Sequence, residues 1–588
     1  MQIRKLFFLI LSLSAYINGD CCSSNNNCNS ATSSISKSCS GSSSSSDCCD
    51  AKTNIEDCFF KNCVSCKSCD IERRCCGDNG NFYGKTFFSQ RPQDSNAARR
   101  ILSSGTNGYD IRAEDSCFND CNARGVVTLE YQQSFHDKKL AQWFSFNCDD
   151  CNCMTVGVPG NNQTYDINAI ELGLSTTNNA PGAIGDICLN PKIRNIIADL
   201  DFKFDLNDCV CNSWARINMV IANCKTEMRL SGDTTGNIAT TIPAGVVSSA
   251  AVEVPFNSVL EAFEAQSAFG EVPVLKFGRF ANCVKSKTGV AGLHLDLGYD
   301  FVRCERGHIG ASAHIVFPTG TRPKGVFLLE PVIGANKSWQ LGATVNASYD
   351  LYKGCDDGRI TLFFDSVITH LFKSRQYRPF QLKNGPGSEF LILKTFDCTG
   401  QAIGLERAAN ILHGETKIGN DIMFDGALMF QFAYCNFFGD LGYNFWYRSK
   451  DKRANTVCFS GFAENKYGIA PADPIIAGNF PFCTPTTIDI CSTANCSTCA
   501  PNNSTAPTTT ISTPGPINAD PVFIGIGDID FSSALNPSAI SNKVFAALGY
   551  QFECKYPMYV SLGGEVEFGQ DNRAINQWGV LGQFGISF

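Results

Sequence analysis

Apolar and polar side chains alternate strictly along the last stretch of the chain. Alternate positions carry Trp578, Val580, Phe584, Ile586 and Phe588, and the positions between them are mostly polar or small. Successive side chains of a β-strand point to opposite faces, so this segment predicts a strand with one apolar and one wettable face. A strand of roughly 9–11 residues crosses a bilayer when it is tilted. We expect this final strand to pair with the first one and close a barrel.

The same alternation recurs from Val126 onward. It predicts strands near 127–135, 193–206, 213–230, 293–301, 339–351, 422–434, 441–447, 542–554, 557–569 and 576–588. We expect about 14 strands, within a range of 12 to 16, because bacterial single-chain barrels use even numbers. Two longer links, 259–265 and 405–411, have helical patterns, and the first is a candidate to fold into the lumen. The predicted fold is all-β: a transmembrane antiparallel β-barrel with short helical insertions and a disulfide-rich N-terminal extension.

The N-terminus has the pattern of an export signal. Arg4 and Lys5 precede the apolar run 6–13, and small or polar residues follow as far as Gly19. This order predicts a signal peptide over residues 1–19. Beyond it no stretch of about 18 apolar residues occurs, so no transmembrane helix is expected. An exported chain that enters a membrane without spanning helices must form a closed barrel, which predicts the bacterial outer membrane and its lipid as surroundings.

Cysteine usage separates residues 20–121 from the rest of the chain. This region is rich in cysteine and serine, and the predicted barrel, 122–588, carries a Thr/Pro/Cys-rich loop at 483–516. The 32 cysteines of the chain indicate an oxidising compartment. The spacing of Cys63, Cys66 and Cys69 suits zinc or an iron–sulfur cluster, but exported low-complexity sequence favours disulfides. We expect disulfides that lock loops and link the protein to itself.

A soluble secreted β-rich protein is the alternative, because any half-buried strand alternates. Three features favour the barrel. The predicted strands are longer than the usual 5–6 residues. Aromatic residues gather at strand ends, as at Tyr299 with Phe301 and at Tyr550 with Phe552. The face opposite the apolar one is rich in Gly, Ser and acidic residues, which suits a watery lumen.

The closing segment, from Trp578 to Phe588, resembles the last strand of Gram-negative outer-membrane proteins. In that class a terminal aromatic and alternating apolar positions resemble the signal read by the barrel-assembly machinery. The resemblance implies that this machinery is a partner. It also implies that the five apolar residues of the segment are the C-terminal assembly signal. The cysteine content is similar to that of the disulfide-linked major porins of some obligate intracellular bacteria. The cysteine-rich N-terminal region and the long insertions depart from a plain trimeric pore.

Polar positions on the predicted strands supply a candidate lumen lining. These residues are Asp199, Asp201, Lys203, Asp205, His294, Asp296, Asp300, Asp425, Glu565 and Glu567. Carboxylates outnumber bases in this set, so the sequence predicts porin-like passage of small hydrophilic solutes with a modest cation preference. A structural alternative stays open, in which a plugged barrel belongs to a disulfide-cross-linked envelope protein.

Catalysis has little support in the sequence. The chain has six histidines, none at the spacing of a zinc-binding helix, and no nucleophile elbow or phosphate-binding loop. His294 beside Asp296 suits acid–base chemistry, but a polar pore lining is the interpretation we favour. The net charge of −8 argues against nucleic acid as a partner. We expect no catalytic residue, no metal and no cofactor.

Overall fold

Twelve long strands form a closed antiparallel barrel. The computed structural model describes residues 81–106, 123–146, 152–158, 165–177, 180–206, 210–244, 246–248, 250–304, 306–354, 358–383, 386–397, 402–469, 522–552 and 556–587. The barrel strands are β1 (Ala123–Ser134), β2 (Lys192–Asp205), β3 (Ser213–Glu227), β4 (Lys285–Cys304), β5 (Gly307–Phe317), β6 (Gln340–Lys353), β7 (Arg359–Pro379), β8 (His413–Tyr434), β9 (Phe437–Arg448), β10 (Ala539–Phe552), β11 (Met558–Gly569) and β12 (Gln577–Ser587).

Each barrel strand pairs with the strand that follows it in the chain, and β12 pairs with β1. The closing register runs from Arg124 opposite Ser587 to Ser134 opposite Gln577. A further strand, Asp451–Phe459, pairs with part of β8 outside the cylinder. The predicted all-β antiparallel barrel is confirmed. The estimate of about 14 strands is replaced by twelve, because other strand-forming segments build short sheets beside the barrel.

The two ends of the barrel differ in the length of their connections. At one end five short connections join the strands: 206–212, 305–306, 354–358, 435–436 and 553–557. We call this the short-turn end, and β1 begins there. At the other end the connections 135–191, 228–284, 318–339, 380–412, 449–538 and 570–576 leave the strands. We call this the cap end, and the described residues of these six connections form the cap.

Short elements build the cap around apolar cores. Its helices are α2 (Asp137–Phe144), α3 (Val259–Ala265) and α4 (Ala408–Ile411); a first helix, α1 (Ala97–Thr106), lies elsewhere. Its 3-10 turns are Ala169–Leu172, Ser388–Phe390 and Ile526–Asp528. Its strands are Cys153–Val158, Ile167–Asn168, Gly182–Cys188, Ser231–Thr234, Thr241–Ile242, Val252–Glu253, Gln381–Leu382, Ile392–Phe396, Ala402–Arg407, Tyr467–Ile469, Val522–Phe523 and Ile529–Asp530. One apolar core joins α2 and α3 to the barrel wall at the cap end. The cap therefore covers that end of the barrel.

Two helix predictions have different outcomes. The predicted helix 259–265 is confirmed as α3. Its predicted place in the lumen is wrong, because Val259, Ala262 and Phe263 are buried in the cap core. The predicted helix 405–411 is wrong in its first half. Residues up to Arg407 form a strand that pairs with Ile392–Phe396, and this pairing outweighs local helix propensity.

The barrel wall carries its apolar residues outside and its charged residues inside. On the outer face Leu548 is 74% exposed and Leu562 is 72% exposed. On the inner face Glu565 is 4% exposed and Asp425 is 3% exposed. A water-soluble domain buries its apolar side chains, since each buried Leu contributes about 1.5–3 kcal/mol. Large leucines on the outside and buried carboxylates inside therefore favour a wall in contact with lipid.

Glycines on the inner face leave room for the aromatic rings of the residues opposite them on the neighbouring strand. Gly442 lies opposite Phe545, and Gly549 lies opposite Phe438. A Cβ added at Gly442 would meet the Phe545 ring at 2.2 Å, and one at Gly549 would meet the Phe438 ring at 2.0 Å. The missing side chains therefore let bulky rings lie flat along the lumen wall.

In the described part of the chain, no helix is long and apolar enough to span a membrane. One disulfide, Cys153–Cys188, joins paired residues of two cap strands. Six other described cysteines are free: Cys211, Cys224, Cys283, Cys304, Cys435 and Cys458. The predicted signal peptide, the loop 483–516 and the cluster of Cys63, Cys66 and Cys69 lie outside the described residues.

Candidate functional site: the lumenal segment

The interior of the barrel is occupied by the chain's own residues 81–106, which we call the lumenal segment. Its first part is fixed to the cap. Gly84 N–H donates to the Ser145 carbonyl at 2.8 Å. Phe82 N–H donates to Asn572 Oδ1 at 2.8 Å, and Asn572 Nδ2 donates back to the Phe82 carbonyl at 2.6 Å. Trp143 Nε1 donates to the Phe87 carbonyl at 3.0 Å. The segment therefore starts at the cap end.

From the cap the segment continues into the barrel and ends in α1. The side chain of Gln93 bridges to the cap, since its Nε2 donates to the Val332 carbonyl at 3.1 Å and its Oε1 accepts from Gly334 N–H at 2.8 Å. Farther along, Ser103 Oγ lies 3.4 Å from Asp201 Oδ2, in the half of the barrel that leads to the short-turn end. The segment thus runs from the cap end toward the short-turn end, where β1 begins.

One face of α1 is apolar and packs on the inner wall. Its residues Ala97, Ala98, Ile101 and Leu102 are almost fully buried. They form one cluster with inward side chains of four strands: Phe363, Ala427, Met429, Phe545, Ala547 and Leu581. The helix therefore has an apolar seat within a wall that also carries many charged residues.

Arg91 joins the segment to the wall on the side of β8, β9 and β11. Its guanidinium lies 2.9 Å from Asp425 Oδ1 and 2.8 Å from Glu567 Oε1. The same group donates to Asn444 Oδ1 at 3.0 Å. All three charged side chains are at most 8% exposed. Charge-assisted hydrogen bonds in such a site are stronger than neutral ones, so this contact fixes where the segment enters the barrel.

Arg99 and Arg100 make the matching contacts from α1. The guanidinium of Arg99 bridges Glu130 of β1, at 2.6 Å, and Asp199 of β2. Arg100 Nε donates to Asp365 Oδ1 of β7 at 2.7 Å. A buried charge without a partner is costly. The three arginines of the segment therefore balance carboxylates on opposite sides of the lumen.

Four titratable side chains stand in a row between the segment and the wall. Asp94 Oδ2 lies 3.3 Å from His294 Nε2, His294 Nδ1 lies 3.4 Å from His314 Nε2, and His314 Nδ1 lies 2.7 Å from Asp296 Oδ1. His294 Nε2 nevertheless has no hydrogen-bond partner, although the Asp94 carboxylate lies beside it. The row connects Asp94 of the lumenal segment to β4 and β5 of the wall.

Nine of the ten residues predicted to line the lumen lie on the inner face and have partners there. Asp199 pairs with Arg99, Asp201 with Arg216, Asp425 with Arg91, Glu565 with Lys543, Glu567 with Arg91 and Lys543, Asp296 with His314, His294 with Asp94, Asp300 with Trp214, and Lys203 lies over the Trp214 ring. Asp205 is exposed at the short-turn end. Most of these groups therefore face protein side chains, and Asp201 and Lys203 also line a cavity next to the short-turn end.

The lumenal segment is not among the features predicted from the sequence. Residues 81–106 fall within the cysteine-rich region predicted for 20–121, and Arg91, Arg99 and Arg100 are not among the predicted site residues. Their wall partners Glu130 and Asp365 are not among them either. A usable signal is present in Ala97–Leu102, where two apolar pairs flank two arginines. A basic helical turn in a chain whose strands carry an acidic face is a candidate for the interior of the barrel.

A cavity remains between α1 and the short-turn end. It measures about 50 Å³ and opens to solvent. Ile101 and Ser103 of α1 line it together with inward residues of the wall: Lys203, Trp214, Arg216, His308, Asn346 and Asp365. Within the described residues, the lumen therefore holds the lumenal segment next to the cap and a small, solvent-open cavity next to the short turns.

Buried ionisable groups also hold the cap together. Arg407 donates to the carbonyls of Pro273 at 2.8 Å, Glu171 at 3.0 Å and Ser267 at 3.1 Å. Burial raises the pKa of the Glu171 carboxyl to about 8, although the Arg407 charge opposes the shift. Burial likewise raises the pKa of Glu389 to about 7. Desolvation therefore outweighs the Arg407 charge at Glu171 and the hydrogen bonds that Glu389 accepts.

The inner and outer faces together decide the class of fold. Charged residues and the lumenal segment fill the interior, and apolar side chains cover the outside. Because the sheet is closed, every strand has a partner on both sides, as a wall within lipid requires. The chain is a transmembrane β-barrel.

No family model and no curated protein matches the chain, whereas several solved structures are similar to it. Similar solved structures include an outer-membrane channel from Pseudomonas putida F1, with 9% identity over 80% of this chain and 96% of that chain, at a TM-score of 0.31. A Pseudomonas aeruginosa FadL homologue has 9% sequence identity over 86% of this chain and 96% of that chain, at a TM-score of 0.25. The β domain of the Bordetella autotransporter BrkA has 6% sequence identity over 80% of this chain and 100% of that chain, at a TM-score of 0.26. Such scores carry no argument by themselves, and the barrel assignment rests on this chain's own strand pairing.

Removing Arg99 is expected to loosen the lumenal segment. In Arg99→Met, Glu130 and Asp199 lose their shared cation while they stay buried, and breaking a buried pair costs about 3–5 kcal/mol. Urea unfolding in detergent micelles, with hydrogen exchange of α1, measures the loss. Arg375→Met is the matched control, because Arg375 is 63% exposed and its pair with Glu415 contributes at most about 1 kcal/mol. Equal losses in the two variants would contradict the role of Arg99.

The cap is expected to lose stability as the pH rises. Glu171 and Glu389 have raised pKa values in the fold, so between about pH 4.5 and pH 8 the folded state binds more protons than the unfolded state. The free energy of unfolding should therefore fall across this window. Glu171→Gln should remove part of that fall, whereas Glu253→Gln, at an exposed cap residue, should leave it unchanged. A pH profile identical for all three proteins would refute the assignment.

Proposed function

We propose that the protein is an outer-membrane anchor, closed by its own lumenal segment, that presents the residues before Asn81 on the cap side. This proposal rests on the direction of the lumenal segment, which runs from the cap end toward the short-turn end. Phe82 is bonded to the cap through Asn572, and Ser103 lies beside Asp201 deeper in the barrel. The chain then begins β1 at the short-turn end. Asn81, whose Nδ2 donates to Gln142 Oε1 at 3.0 Å, therefore lies at the cap end of the barrel.

The unequal ends of the barrel support an orientation in the membrane. Outer-membrane barrels have short turns on the periplasmic side and longer loops on the extracellular side. By this rule the cap faces outward and the short-turn end faces the periplasm. The outward positions of Val580 and Phe584 on β12 agree with contact to lipid and with recognition of this strand by the barrel-assembly machinery.

The contacts in the lumen favour a closed barrel over a diffusion pore. Passage of small hydrophilic solutes with a cation preference needs inward carboxylates that face water. Asp199, Asp425 and Glu567 are instead paired with arginines of the lumenal segment. A solute path along the barrel axis therefore needs the segment to leave its seat. The absence of enzyme activity and of nucleic-acid binding stays a prediction.

An epitope tag tests the direction of the chain. A tag inserted after Ser44 should be reached by antibody on intact cells, because the lumenal segment leads from the cap end. A tag inserted after Arg306, in the connection between β4 and β5, is the control and should be reached only after the outer membrane is permeabilised. If the first tag also needs permeabilisation, the N-terminal region does not leave on the cap side and the proposal fails.

Conductance tests closure of the barrel. Purified protein in planar lipid bilayers should give no conductance steps. The double variant Ile101→Asp/Leu102→Asp should give steps, because two carboxylates on the apolar face of α1 lose water without gaining partners. Ile101→Leu/Leu102→Ile keeps the volume and should stay silent. Steps from the unaltered protein would support solute passage and overturn the closed anchor.

A further inference from the structure

Basic side chains stand on the outer surface of β7 and β8, close to the cap end. Lys373 and Arg375 of β7 and Lys417 of β8 are exposed, whereas the residues that follow Arg375 and Lys417 are buried on the inner side. We call Lys373, Arg375 and Lys417 the basic patch. The adjoining outer strand adds Lys452, which is paired with Asp421.

The basic patch has more cations than counter-charges. Arg375 lies directly opposite Lys417 in the strand register, and like charges in this position repel each other. Glu415 Oε1 lies 3.6 Å from Arg375 Nε. In the described part of the chain neither Lys373 nor Lys417 has a carboxylate within ion-pair distance. An anion from outside the chain would therefore relieve the repulsion within the patch.

The basic patch begins where the apolar outer face ends. On β7 the outward residues from Leu362 to Phe372 are mostly apolar, and Ile368 is 47% exposed and Phe372 46% exposed. About ten residues cover about 33 Å along a strand. At a tilt of about 40° this span crosses about 25 Å of membrane, which is the height of the apolar band of an outer-membrane barrel. Trp339, whose carbonyl accepts from Phe372 N–H at 2.9 Å, is half exposed at the same level. The patch therefore lies at the level of the lipid headgroups.

The other side of the barrel repeats this arrangement. Arg194 of β2 lies opposite Lys225 of β3, next to the outward side chain of Ile196. Glu227 accompanies this pair, with Oε2 at 3.2 Å from the Arg194 guanidinium. The two cation pairs stand five strands apart, each at the border between apolar wall and cap. A membrane meets every side of the barrel at one height, so the repetition favours a lipid surface over a single protein partner.

We propose that the basic patch binds the phosphate groups of an anionic lipid in the leaflet that surrounds the cap end. Cations beside a membrane surface attract anionic lipids, and ammonium and guanidinium groups hold phosphate oxygens through charge-assisted hydrogen bonds. Acyl chains beside Ile368 and Phe372 place the headgroup next to Lys373. The proposed function decides which leaflet this is, because it sets the orientation of the barrel. The binding itself depends only on the patch.

Amine footprinting of the whole protein in a neutral detergent tests the proposal. The probe is lipid A, a saccharolipid with two phosphate groups. An acylating reagent should modify Lys373 and Lys417 in the free protein, and lipid A should protect both, less so as salt screens the exposed charges. Lys353, exposed at the short-turn end, should stay reactive throughout. Phosphatidylcholine and inorganic phosphate serve as the comparison lipid and the free anion, and neither should protect the patch.

Variants at Arg375 show whether protection comes from the charge of the basic patch. In Arg375→Gln, half-protection of Lys373 and Lys417 should need roughly fivefold more lipid A, the share of one cation at an anionic surface. Arg375→Lys should keep the midpoint of the unaltered protein. Arg306→Gln, which removes an exposed cation of the short-turn end, is the matched control and should also keep it.

Equal modification with and without lipid A would overturn the proposal, as would equal protection by phosphatidylcholine or by inorganic phosphate. An unchanged midpoint in Arg375→Gln would overturn it as well. A heat-dependent gel shift shows that each variant is still a folded barrel. Micelles have no leaflets, so the footprint does not depend on orientation, which the epitope experiment reports. Failure of lipid binding and failure of the anchor are therefore distinguishable.

Discussion

Neutralising the carboxylates inside the barrel is the constraint on which the rest of the structure depends. A closed sheet lets every backbone N–H and C=O group of its wall form a hydrogen bond within lipid. Its inner face, however, then holds five carboxylates away from bulk water: Glu130, Asp199, Asp365, Asp425 and Glu567. Buried charges persist only with partners. Three arginines of the lumenal segment supply them from the barrel axis. The charge of the wall and the presence of the segment are therefore two parts of one arrangement.

The strand faces could be predicted from the sequence because their cause is local. A side-chain period of two is fixed by backbone geometry alone, and a register slip of one residue would turn every apolar side chain inward. The predicted strands 193–206 and 576–588 accordingly match β2 and β12 within one residue at each end. The inward position of Asp199 and the outward position of Phe584 follow from the same alternation.

The lumenal segment could not be predicted in this way, because its partners are distant in the chain. Arg91 contacts Asp425 and Glu567, which lie 334 and 476 residues later. Local sequence shows only a short amphipathic helix, and a helix of this length is marginal alone. The wall provides its apolar seat and its counter-charges. The same limit explains the wrong prediction at 405–411, where pairing with Ile392–Phe396 decides the structure.

The enclosed position of the segment constrains how the barrel closes. The contacts of Arg91 and Arg99 come from β1, β2, β8 and β11, so no single hairpin offers the full set. Contacts of such long sequence separation form late, because loop closure must precede them. Once β12 has paired with β1, however, the wall is continuous and the apolar face of α1 has no lateral way in. A segment that lies between the strands before that final pairing is enclosed by it, and closure of the sheet then holds the arginines and the carboxylates together.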